Sequence, residues 1–287
     1  MNTSTRTAVL LFSCPDQPGL VTRLTQLVYE YGGNILDLDE HVGPKEKVFS
    51  IRIAWDMNNF KVASSEVWNI FEPLATEVGG RGEIRFLEES TRAAIFVSKY
   101  DHCLQEILWR YKTNEFPIEI GLVISNHPDL EYLAEQHQIP FYCFPTTQET
   151  ILDQEKAELE LLEEYRIDTI ILARYMQILS PDFVRKYPHK IINIHHSFLP
   201  AFVGSNPYRQ AYRRGVKIIG ATSHYVTDDL DEGPIIAQDV IKISHKDTLN
   251  DLIRKGRDLE RLVLARALRS HFEHRVLVRG HKTIVFD

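Results

Sequence analysis

Apolar residues recur along this chain with two periods, and the changes between them lay out the elements. Residues 7–13 are an apolar run of strand character, stopped by the breaker-rich turn Cys14-Pro-Asp-Gln-Pro-Gly19. Leu20, Leu24, Leu27 and Val28 then recur at helical spacing through residues 20–31, and Gly32-Gly33 ends that helix. Residues 34–41 read as a strand and Gly43-Pro44-Lys45-Glu46 as a turn. Residues 48–55 set Val48, Ser50 and Arg52 against Phe49, Ile51 and Ile53, as a strand buried on one face does. A helix over 64–78, interrupted by Pro73, and a strand over 83–87 complete the first stretch.

The order βαββαβ makes a complete ferredoxin-like unit of roughly 80 residues. Residues 86–92 read as the connector, which sets a domain of residues 1–88 before one of residues 89–287. In the second, strands are predicted at 93–97, 118–124, 141–144, 169–173, 190–194, 220–226 and 235–240. Helices are predicted at 102–111, 130–136, 151–165, 181–186 and 207–214, then a long one over 248–271, and the tail 275–286 reads as a hairpin. Strands alternating with helices at this pace imply an α/β fold with a mostly parallel sheet, which binds ligands outside the carboxyl ends of its strands.

Composition narrows the classes. The chain has 287 residues, enough for two domains, and its 44% hydrophobic and 25% charged residues are ordinary for a water-soluble protein. A net charge of −7 argues against nucleic acid or an anionic membrane as partner. The basic clusters Arg209, Arg213, Arg214 and Arg254, Lys255, Arg257 read as solvated helix faces. The three cysteines are far apart and odd in number, which points to a reducing compartment rather than a disulfide framework. With no apolar signal segment at the start and no run long enough to span a bilayer, a cytoplasmic protein is expected.

Candidate chemistry concentrates in Ile191-Ile-Asn-Ile-His-His-Ser-Phe-Leu-Pro200 and Thr227-Asp-Asp-Leu-Asp-Glu-Gly-Pro234. On a strand, Asn193 and His195 share a face and Ile194 points to the core. An amide N–H can stabilise a developing oxyanion, an imidazole can move a proton, and Asp231 can orient both His195 and a water. The same residues also fit a structural arrangement of strand cap, interior histidine and turn residue. His195, His196 and His224 with Asp231 could suggest zinc, but adjacent histidines on a strand face opposite ways, so no metal site is expected. His102-Cys103 offers a nucleophile pair, but helix neighbours do not face each other, and Cys103 reads as core. Arg174-Tyr-Met-Gln-Ile-Leu-Ser180 reads as a strand-to-helix loop or as the apolar wall of a pocket for a flat heterocycle. Neither the dinucleotide fingerprint nor the Walker-type phosphate loop is present.

Taken together, Asn193-Ile-His195, Ser197-Phe-Leu-Pro200, Gly204, His224-Tyr-Val-Thr-Asp228 and Leu230-Asp-Glu-Gly-Pro234 resemble the signature of the folate-dependent formyltransferase superfamily, over about residues 91–287. The resemblance implies a Rossmann-like, formyltransferase-type sheet, with Asn193, His195 and Asp231 as catalytic residues. It also implies a folate pocket drawing on Arg174, Tyr175, Met176, Gln177, Ile178, Leu179, His196, Ser197 and Gly204. Within the superfamily the chain is most similar to the formyltetrahydrofolate deformylase family. Ser98-Lys-Tyr-Asp-His-Cys-Leu104 stands where transformylases carry a glycine-rich phosphate loop, Arg174-Tyr-Met-Gln-Ile is typical of deformylases, and His196 replaces a proline. Without a phosphate cradle there is no evident seat for a ribonucleotide, so water becomes the acceptor. The implied activity is hydrolysis of 10-formyltetrahydrofolate to tetrahydrofolate and formate, without a cofactor, supplying formate for purine synthesis and balancing one-carbon folate pools. Formyl transfer to an amine, or a non-catalytic sensor, are the alternatives. Asp16-Gln-Pro-Gly-Leu20 and Gly32-Gly-Asn34 resemble an ACT regulatory domain, which implies an effector site at Asp16, Gly19, Leu20 and Asn34 for a small amino acid such as glycine or methionine. It further implies a homo-oligomer, a dimer of dimers or higher.

Overall fold

The computed structural model describes residues 6–145, 151–201 and 206–287. The chain divides into two compact units: residues 1–90 with 273–277 and 284–287, and residues 91–272 with 278–283.

The first unit runs β1 (Thr7–Pro15), α1 (Leu20–Glu30), β2 (Asn34–Val42), β3 (Val48–Asp56), α2 (Val67–Val78) and β4 (Arg81–Phe86). The strands form one antiparallel sheet in the order β2-β3-β1-β4. Leu20, Leu24 and Val28, four residues apart on α1, enter a core with Leu10, Phe12, Trp55 and Phe71. Two features depart from the sequence pattern. Pro73 sits inside α2 without ending it, because it lies on the exposed side while Phe71, Leu74 and Ala75 are buried. β3 is buried on both faces: Ser50 and Arg52 are 0% and 2% exposed. Arg52 donates from Nε to His274 O at 3.0 Å, from Nη2 to Glu273 O at 3.1 Å and from Nη1 to Asp37 Oδ2 at 2.6 Å. The far end of the chain thus covers the face that alternation left open.

The second unit begins with β5 (Thr91–Val97), α3 (His102–Lys112), β6 (Ile118–Ser125), α4 (Glu131–Gln136), β7 (Phe141–Cys143), α5 (Ile151–Glu164) and β8 (Thr169–Leu172). α6 (Pro181–Val184), β9 (Ile191–His195), α7 (Pro207–Arg214), β10 (Ile218–Tyr225), β11 (Ile235–Lys242) and α8 (Leu249–Phe272) follow. A short pair, β12 (Val276–Arg279) and β13 (Lys282–Val285), closes the chain. The main sheet has seven strands in the order β11-β10-β9-β8-β5-β6-β7. β7, β6, β5, β8 and β9 are parallel, and β10 runs antiparallel between β9 and β11. The chain builds outward from β5 to β7, then returns to lay β8 and β9 on the other side. The strand order therefore reverses between β5 and β8, and sheets of this kind bind ligands outside the carboxyl ends at such a switch point. Ser98, Arg174 and His195 all stand at such ends.

Candidate active site

β9 and β10 pair antiparallel with Asn193 opposite His224 and His195 opposite Thr222, so these four polar side chains share one face. Ile192 and Ile194 point the other way and are buried, as the alternation predicts. His224 Nδ1 lies 2.9 Å from Tyr225 O, and a carbonyl can only accept, so Nδ1 carries the hydrogen. Nε2 is then an acceptor, and the Asn193 side-chain amide donates to it at 3.3 Å. Burial holds the His224 imidazole below its usual range, which keeps it neutral and its Nε2 lone pair available. The amide orientation of Asn193 is thereby fixed.

Asp231 enters from the turn between β10 and β11, in the left-handed region at φ +59. Its neighbour Gly233 is required there, because a Cβ would overlap the carbonyl oxygen of Tyr225. Asp231 Oδ1 is 3.2 Å from His195 Nδ1 and 3.8 Å from His224 Nε2. Burial opposes the charge of Asp231, but the hydrogen bond from His195 and the surrounding imidazoles outweigh it and hold the carboxyl below the usual range. His195 Nδ1–H therefore donates to a carboxylate. His195 is 6% exposed, and its Nε2 is buried without a hydrogen-bond partner. This pair matches what a proton-transferring site needs: one nitrogen fixed, the other unspent.

The stretch after β9 is tied to β10 and β11. Thr222 Oγ1 donates to Ser197 O at 2.8 Å and accepts from Leu199 N at 3.0 Å, and Gln238 Nε2 donates to Leu199 O at 3.0 Å. Ser197 Oγ donates to Ala201 O at 2.7 Å, so its hydroxyl is committed to the turn. His196 lies beyond the end of β9, and the opposite-face rule no longer governs it. Its ring centroid is 5.2 Å from that of His195 and 5.8 Å from that of Tyr208. Burial, with Arg174 nearby, pushes its pKa down to about 3, so it is neutral. Gly204 lies outside the described residues.

Arg174 to Leu179 leave the carboxyl end of β8, next to β9. Ser98 Oγ accepts from Met176 N at 2.9 Å and donates to Asn126 Oδ1 at 2.6 Å. Glu155 Oε1 accepts from Ser180 N at 2.7 Å, and Tyr175 Oη donates to Glu158 Oε1 at 3.4 Å. Burial lifts the Glu158 carboxyl to about 7. Tyr175 and Leu179 pack into the core, whereas Met176 and Ile178 are 51% and 65% exposed. Of the six residues expected to line one pocket, Met176 and Ile178 thus face outward while Tyr175 and Leu179 anchor the segment from behind.

Cys103 is buried as expected, but His102 and Cys103, though neighbours on α3, do meet in one cluster. His102, Cys103 and Glu260 bring ligand-type atoms within 4.8 Å of one another. Glu260 already accepts from Tyr208 Oη and lies 2.8 Å from His102 Nε2, with Arg174 Nε 3.4 Å away. Burial, together with the Glu260 charge, pushes the Cys103 thiol well up. With Tyr208, His102 and Arg174 all turned to Glu260, this is an internal ion cluster. Glu260 had a signal in the sequence that was not used: it sits on the stripe Leu252, Gly256, Glu260, Leu264, Leu268, the buried face of α8. Gln154 and Glu158 stand likewise on a buried stripe of α5 with Leu162.

In the first unit, Asp16 N donates to Lys47 O at 2.9 Å, Gly19 caps α1 at φ +87, and Asn34 is exposed at the start of β2. Leu20 is buried in the core. Among the described residues no helix is long and apolar enough to cross a membrane, and the three cysteines are free.

Residues 91–268 match the formyl transferase family model. The chain is 53% identical to a formyltetrahydrofolate deformylase of Synechocystis sp., over 98% of both chains. A crystal structure of a formyltetrahydrofolate deformylase from Pseudomonas syringae superposes with a TM-score of 0.96 at 40% identity, covering 100% of this chain and 96% of that one. Glycinamide ribonucleotide transformylase 1 from Symbiobacterium toebii superposes less fully, with a TM-score of 0.64 at 31% identity over 69% of this chain and 95% of that one. The chain belongs to the formyl transferase family, in its formyltetrahydrofolate deformylase branch.

Proposed function

We infer that this chain hydrolyses 10-formyltetrahydrofolate to tetrahydrofolate and formate. The observation that carries the reading is His195, its Nδ1 held by Asp231 and its Nε2 buried and unpartnered on the face that also presents the Asn193 amide. Water attacks the formyl carbon as His195 Nε2 takes one of its protons. The carbonyl electrons move to oxygen, where the Asn193 amide donates to the oxyanion. Asp231 stabilises the imidazolium and orients the water. Collapse of the tetrahedral intermediate breaks the bond to N10, the imidazolium proton passes to that nitrogen, and formic acid leaves and ionises. Met176 and Ile178 provide the apolar wall for the pterin, with Arg174, Gln177 and His196 completing the pocket. No cofactor enters this scheme.

The first 88 residues are read as an ACT regulatory domain that takes a small amino acid, glycine or methionine, at Asp16, Gly19, Leu20 and Asn34, and pairs sheets into a homo-oligomer. Residues 89–287 are read as the catalytic domain, and the protein as cytoplasmic. The test is formate release from 10-formyltetrahydrofolate with no acceptor added, repeated with glycine and with methionine. Formate is expected without an acceptor. Loss of the formyl group only when an amine is supplied would make the chain a transferase.

A further inference from the structure

Glu260 stands in the middle of α8 and is 1% exposed, far from any need for a charge on that helix. Burial works against its charge, yet the hydrogen bond from His102 and the charge of Arg174 keep it ionised, below the usual carboxylate range. Its oxygens bind three separate elements. Oε1 accepts from Tyr208 on α7, and Oε2 accepts from His102 at the start of α3 and faces Arg174, which opens the turn after β8 in the left-handed conformation at φ +64. At 3.4 Å, with Arg174 Nε lacking a hydrogen bond, this last contact is an ion pair. Gly256, one turn before Glu260, makes the contact with Tyr208 possible, since a Cβ there would overlap the tyrosine ring and hydroxyl. A buried carboxylate is tolerated only when its partners are all engaged, so the cluster locks these elements into one arrangement.

Two of those partners lead to the reacting groups. The Tyr208 ring packs on His196, and His196 packs on His195. Arg174 begins the segment whose Met176 and Ile178 form the pocket wall. We propose that Glu260 is a positioning residue for the hydrolysis: it sets the His195 ring through Tyr208 and His196, and sets the pocket wall through Arg174. The inference rests on the deformylase reading above. Around His195 the charged and titratable groups are Asp231 from the β10–β11 turn, His224 from β10, His196, and behind it Tyr208, Arg174 and Glu260.

The full-length E260Q, E260D, Y208F and G256A proteins test it by steady-state formate release. E260Q keeps the volume but sets an amide N–H₂ against two donors. Its kcat is expected to fall on the order of tenfold, less than the roughly hundredfold that a 1 Å misplacement can cost. E260D keeps the charge and should recover part of that loss. Y208F and G256A, which break only the Tyr208 contact, should lower kcat with little change in KM. Unchanged kcat per folded molecule in E260Q, or an E260D protein that recovers none of the E260Q loss, would overturn the proposal. If E260Q does not fold, unchanged kcat in Y208F and G256A would do the same. Wild-type protein that releases no formate would instead defeat the deformylase reading itself.

Discussion

Two carboxylate–imidazole pairs of the second unit are built to opposite ends. Asp231 and His195 meet at 3.2 Å, and the far nitrogen of that histidine faces no protein partner. Glu260 and His102 meet at 2.8 Å, but both carboxylate oxygens are engaged by further donors. The first pair rests on a strand end and a turn at the mouth of the sheet, the second deep in a helix face. A carboxylate–imidazole pair becomes reactive by what it leaves unsatisfied, and becomes a fastener when both carboxylate oxygens are held.

Breaking the first pair should have the largest effect. Asp231→Asn keeps the shape but removes the charge that stabilises imidazolium, and formate release should fall roughly a thousandfold. Folate binding, read by fluorescence titration, should stay close to wild type, and wild-type turnover would remove Asp231 from the mechanism. Gly233→Ala drives a Cβ into the Tyr225 carbonyl and displaces the turn that carries Asp231. Overpacking of this kind costs about 1–3 kcal/mol, which urea unfolding would register, and activity should fall with it. His224→Phe leaves the Asn193 amide without its acceptor, and kcat should drop about tenfold while KM holds. The second pair, probed by Glu260→Gln, should give a loss of similar size, part of which Glu260→Asp should restore.

A separate effect bears on acid stability rather than on turnover. Burial lowers His196 to about 3 and His274 to about 4, and lowers His224 as well, against 6.5 for an unfolded chain. Between pH 6.5 and those folded values, the unfolded chain binds protons that the folded one refuses. Stability should therefore decline as pH falls, by about 1.4 kcal/mol per pH unit for each group. Asp231 adds in the same direction only at lower pH, since its advantage is lost as pH falls through a folded value already below 3.8. His196→Asn should flatten the urea-derived stability profile between pH 4 and 6 by one group's slope; an unchanged profile would mean that His196 is not buried in its neutral form.

Much of the candidate face was legible, because β9 obeys a two-residue period that puts Asn193 and His195 side by side however the rest of the chain packs. The Asp231 run was legible too, since Gly233 and Pro234 mark a turn. The role of His224 was not: it depends on the antiparallel register that sets it opposite Asn193, and register is a property of two strands. Tyr175 and Met176, neighbours in one motif, part company only when the turn closes against Ser98 and Glu158. In the other unit, Arg52 reads as surface polar until the end of the chain supplies carbonyls for it.

By itself the sequence determined the elements, their order and the pair Asn193 and His195, because helix and strand periodicities are local and survive any packing. Only the tertiary structure decided which nitrogen of His195 is left open, what holds the amide of Asn193, and that Glu260 is closed by three partners from three other elements. Those are statements about desolvated groups finding or lacking partners across long stretches of chain, and burial is not a property any one stretch possesses alone.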